Sequence, residues 1–99
     1  MLVGGTPKHE FELPIHTSML DDLLITYSQA GIIMLEKRIN DCFVSGNTVS
    51  FELTQEDTLK FDELATIEIQ LKIKTLGGEV IPSEVIFDTP SCCLNKEIL

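Results

Sequence analysis

The sequence has no tryptophan, one tyrosine and five phenylalanines, so aromatic residues make up only 6% of its 99 positions. A carbohydrate-binding module displays aromatic platforms, and here the sole tyrosine, Tyr27, falls on the inward side of its strand. Basic residues are also scarce: seven Lys and Arg stand against sixteen Asp and Glu, a formal net charge of −9. A field of that sign repels nucleic-acid phosphates and anionic lipid, so neither is an expected partner. No long apolar run exists. Residues 32–35 are the longest, with runs such as 23–25 shorter still, far short of the roughly 20 residues that a membrane helix needs. Residues 1–7 lack the basic and apolar stretches of a signal peptide, so synthesis in the cytoplasm is expected. Cys42, Cys92 and Cys93 are odd in number and without an export signal, which favours reduced thiols over a disulfide framework.

What remains is an ordinary globular mix, 43% hydrophobic and 23% charged, in a chain of one-domain length. A chain this short closes one modest core and leaves little room for a deep enclosed pocket, which argues against an enzyme. Residues 1–7, with Gly4, Gly5 and Pro7, read as a flexible N-terminal arm; 8–88 as the folded domain; 89–99, which has no clear period, as a tail.

Alternation marks the strands. In 8–13, His9, Phe11 and Leu13 share one side and Lys8, Glu10 and Glu12 the other, before Pro14 ends the run. In 23–29, Leu23, Ile25 and Tyr27 point inward; Ala30-Gly31 is a two-residue turn, and 32–38 returns as the hairpin partner. A short extended piece at 42–44 leads through the Ser45-Gly46-Asn47 turn into 48–53. Thr54-Gln55-Glu56-Asp57 then has the form of a helix start, a hydroxyl three residues ahead of an acid. The strongest signal is 66–75, where Ile67, Ile69, Leu71 and Ile73 alternate with Glu68, Gln70, Lys72 and Lys74. After Gly77-Gly78, residues 79–88 return as a last strand that Pro82 marks as an edge or a bulge. About seven strands with one helical turn and no βαβ pattern predict an all-β, immunoglobulin-like antiparallel sandwich, although the Cys-Trp-Cys signature of true immunoglobulin domains is absent.

No constellation names a reaction. His9 and His16 are the only histidines, and adjacent Cys92 and Cys93 project to opposite sides of an extended chain, so no metal or other cofactor is expected. The cysteines have apolar or acidic neighbours, which raise a thiol pKa rather than activate it. Two surfaces suit a protein partner. With Ile33 and Leu35 inward, Ile32 and Met34 face out, joined by Leu24 and Ile86 in an apolar outer patch. Glu52, Glu56, Asp57, Asp62 and Glu63 surround only Lys60, an acidic corner that fits a basic partner. The open strand edges expected at 8–13 and 79–88 add a third means of contact.

Several strings carry a family resemblance: Gly5-Thr6-Pro7-Lys8-His9-Glu10-Phe11-Glu12-Leu13-Pro14, Ile25-Thr26-Tyr27-Ser28-Gln29-Ala30-Gly31, Leu53-Thr54-Gln55-Glu56-Asp57-Thr58-Leu59-Lys60-Phe61, and Glu68-Ile69-Gln70-Leu71 with Gly77-Gly78 beyond. Across most of residues 4–87 the chain resembles small prophage proteins of gut Firmicutes. The resemblance implies a phage or prophage origin, synthesis in the bacterial cytoplasm and a virion-associated or assembly role. Other phage proteins, or further copies of the chain in a ring, would be the partners. It supplies no active-site residue. Ala30 departs from the pattern, since Asn before Gly makes the stronger turn, and so does the Cys-containing end. An acidic host-directed inhibitor and a carbohydrate- or surface-binding module are the competing readings.

Overall fold

The computed structural model describes all 99 residues, Met1–Leu99. In chain order the strands are β1 (Lys8–Glu12), β2 (Leu20–Gln29), β3 (Ile32–Arg38), β4 (Phe43–Ser45) and β5 (Thr48–Glu52). The helix α1 (Gln55–Leu59) follows, and then β6 (Ile67–Thr75), β7 (Val80–Pro82) and β8 (Ile86–Asp88). They form two antiparallel sheets, one in the order β1-β5-β4, the other β3-β2-β6 extended by β7 and β8, which both pair with β6. This is an immunoglobulin-like sandwich: β1, β5 and β4 stand as strands B, E and D, and β3, β2, β6 and the split β7–β8 as C′, C, F and G.

Alternation builds the core as expected. Ile67, Ile69, Leu71 and Ile73 of β6 and Leu23, Ile25 and Tyr27 of β2 are all buried. They face Val49 and Phe51 of β5, and the Tyr27 ring lies 6.4 Å from Phe51 and 5.9 Å from Phe61. β6 has partners on both sides, so its Lys and Glu stripe covers the outer face while its aliphatic stripe closes the interior. After β5, Thr54 Oγ1 accepts the Asp57 N–H at 3.1 Å and Asp57 Oδ2 accepts the Thr54 N–H at 3.0 Å, a reciprocal cap that starts α1.

Two expectations fail for local reasons. Ala30 and Gly31 both have positive φ, +50° and +79°, the backbone of a two-residue hairpin turn. Beyond it Ser28 pairs with Ile33 but Tyr27 pairs with Leu35, so Met34 is the extra residue of a bulge. One residue of slip reverses the phase: Ile33, expected inside, is 59% exposed, and Met34, expected outside, packs against the core. The second concerns residues 1–7, which are not a free arm. Val3 is fully buried, Leu2 bridges Ser91 in parallel, and the Met1 ammonium lies 3.1 Å from Asp88. Thr58, itself buried at the base of α1, accepts the Gly4 N–H and donates to the Gly5 carbonyl, both at 2.9 Å. The tail is partly held too, through buried Pro90 and a Cys93 N–H donated to Glu63 at 3.3 Å.

Candidate functional site

β1 is an edge strand, and its hydrogen bonds tell which backbone groups are free. Leu53 N–H donates to the Pro7 carbonyl and Leu13 N–H to that of Asn47, so the odd-numbered residues of this stretch turn their backbone toward β5. Lys8, Glu10 and Glu12 turn theirs away, with N–H and C=O unpaired within the chain. The opposite rim is the edge of the other sheet. Ser83 N–H donates to Leu71 O at 2.7 Å and Thr75 N–H to Glu79 O at 2.8 Å, which leaves Val80 facing outward and Pro82 with only a carbonyl to offer. Five residues of β6, from Ile69 to Ile73, match six of the returning chain, from Ile81 to Ile86, so the strand breaks at Ser83–Val85 as Pro82 led us to expect.

Between these edges the sandwich is open. Phe11, Leu13, Leu71, Ile73, Ile81 and Ile86 line a groove of about 380 Å³ whose β1 rim carries Glu10 and Glu12 and which no basic side chain lines. It runs on past His9, Ile69, Phe87 and Asp88, where Lys8 stands 3.6 Å from Glu10. Five residues of β1 measure roughly 17 Å at strand rise. Phe11 and Ile86 are only partly covered, so the core is accessible here.

His9 connects this groove to the interior. Its Nδ1 lies 2.6 Å from the Tyr27 hydroxyl, and its ring stacks on Tyr27 at 5.8 Å and meets the edges of Phe11 and Phe51. Burial lowers the His9 pKa and raises that of Tyr27 above its ordinary value, so a neutral imidazole and a protonated phenol share this hydrogen bond.

The sequence-predicted contact residues do not assemble. The register places Leu24 between Arg38 and Lys72, and Ile33 in a row with Ser28, Glu68 and Phe87, so polar side chains separate the apolar ones. Ile86 faces the groove, not the outer surface. Ile32 is exposed beside the hairpin turn, two residues from the half-buried Met34. The acidic corner is thinner than its sequence suggests. Asp57 is buried: burial pushes its carboxyl up, but the Thr54 N–H and Lys37 at 3.0 Å outweigh that and hold its pKa low. Glu63 accepts the Cys93 N–H and lies 3.3 Å from Lys96, and these contacts keep its pKa low. Glu52, Glu56 and Asp62 remain exposed, the first two beside Ile98 and Leu99 of the tail.

Burial raises the Cys42 thiol pKa, and a hydrogen bond to Glu63 raises that of Cys92, which disfavours a thiolate at either. Sequence reasoning found the two edges but missed their meeting across a groove. It also missed Gln29, buried, whose amide donates to Asp62 O and Ala65 O at 2.7 and 2.9 Å and accepts the Asp62 N–H at 2.8 Å. Its only signal was a polar residue on the inward phase of β2. No protein-family model, curated protein or solved structure matches this chain.

Proposed function

We propose that the protein is a non-enzymatic protein-contact module of a phage or prophage particle, or of its assembly, and that it binds through open strand edges. The observation that carries this reading is the pair of unpaired edges, β1 and β7–β8, flanking a groove that exposes core side chains. Free edges template pairing with another chain, and apolar surface beside them supplies the driving force. The resemblance of residues 4–87 to prophage proteins supports placing such contacts in a virion or an assembly intermediate. The host-inhibitor alternative gains less support, because two of the five acids it relies on are held by contacts within the chain.

The test is co-sedimentation with purified particles and assembly intermediates from producing cells, followed by cross-linking through Lys8, which sits on the β1 edge. Cross-links to particle proteins are expected. A protein that stays at 11.0 kDa in light scattering, is absent from both fractions and cross-links to no phage protein would overturn the reading.

A further inference from the structure

Resting on that reading, we infer that the groove takes up one extended segment of a partner protein, added as a strand beside β1, in which apolar and basic residues alternate. The backbone requirement comes from the edge itself: Lys8, Glu10 and Glu12 present three N–H and three C=O groups in a row, a pattern that an extended chain matches and a helix does not.

The side-chain requirement comes from the pleat. An added strand has the same alternation as β1, so every second side chain points inward over Phe11, Leu13, Ile81 and Ile86. The intervening ones stand outside, level with Glu10 and Glu12, where Lys or Arg forms opposite-charge cross-strand pairs and an acid is repelled. A second copy of this chain is a poor occupant. Each copy carries a net charge of −9, and the stretch in this sequence that best alternates aliphatic with basic residues, around Leu71, Lys72, Ile73 and Lys74, is already the centre of its own sheet. Edge strands commonly carry charges to prevent such pairing. On β1 two of the three outward charges are acidic, Glu10 and Glu12, with Lys8 drawn to Glu10 at 3.6 Å, and the acidic excess selects the occupant's charge as well as limiting self-association.

The probe is a seven-residue peptide alternating valine and lysine, acetylated and amidated, titrated into the full chain with amide hydrogen exchange and two-dimensional NMR as readouts. Slowed exchange is expected at Lys8, Glu10 and Glu12, with weaker binding as salt rises. Charge reversal of both Glu10 and Glu12 to Lys should weaken binding about tenfold. N-methylation of the alternate peptide residues that face β1 should abolish it, whereas methylation of the other set should not; this comparison leaves the protein unaltered. Glu10→Pro provides a second check, since the N–H it removes points away from β5 and serves only the added strand.

Four outcomes overturn the inference. Equal loss from both methylated sets would exclude strand addition at β1. Protection at the edges of β3 or β4 instead would move the site and leave the contact-protein reading standing. A dimer of this chain protecting the same three amides would replace the basic occupant with a second copy. Absence of peptide binding overturns the groove alone, because the wider reading is judged by sedimentation with particles.

Discussion

His9 is the one side chain whose ionisation links the interior to the groove. It faces the Tyr27 hydroxyl, the Phe11 and Phe51 rings, the charge of Asp88 and the N-terminal ammonium. Its pKa in the folded chain lies below 6.5, so as pH falls through 6.5 the unfolded chain takes up a proton before the folded one does. Stability is therefore complete above that value and declines below it. Asp57 acts in a lower window, its contribution being lost only as pH falls from 3.8 through the lowered folded value. Urea midpoints at about pH 5.5 and about pH 7.5 should accordingly differ in the native chain and converge in His9→Asn. An unchanged difference in the variant would exclude His9 as its source. Ala30 gives a second expectation: its φ of +50° puts a Cβ where left-handed backbone costs about 1–2 kcal/mol. Ala30→Asn should stabilise by about 0.5–1 kcal/mol in equilibrium unfolding, since asparagine tolerates that conformation and suits the first turn position before Gly31. No gain, or a loss, would mean that the turn carries no such strain.

Elements differ in how firmly their patterns fix their phase. β6 alternates four aliphatic residues with charged or amide neighbours, and only one of the two registers buries the aliphatic set. Ile69→Ala should cost on the order of 2–5 kcal/mol, and a loss below about 1 would contradict a central strand. β3 begins with four apolar residues in succession, Ile32 to Leu35, which contain nothing polar to set a phase. The pairing of Tyr27 with Leu35 decides it, and the bulge at Met34 absorbs the mismatch. Ile33→Thr should thus change stability by less than about 0.5 kcal/mol, while Leu35→Ala costs about 2–5 kcal/mol. The reverse ranking in denaturant titrations would restore the strict alternation. The start of α1 is legible in four consecutive residues because its cap uses only local hydrogen bonds. Lys37, which neutralises that cap from β3, is remote in sequence and left no local sign.

At the scale of the molecule, a body of 46 × 27 × 16 Å closes its core partly with its own N-terminus. Val3→Ala should cost roughly 1.5 kcal/mol, two methyl groups at about 0.8 kcal/mol each, as measured by the shift in urea midpoint. A neutral result would return residues 1–7 to the status of a free arm. Alternation, turn chemistry and capping are properties of neighbours along the chain, so the sequence by itself determined the strands, the hairpin turn, the helix start, the all-β class and the acidic surface. Only the tertiary structure decided which edges lie opposite one another. It also decided that Asp57 is held inside by Lys37, that Glu63 ties down the tail, and that Phe11 and Ile86 face the same open groove. Those outcomes depend on pairing between residues dozens of positions apart, where a one-residue bulge redirects a side chain and no local pattern reports it.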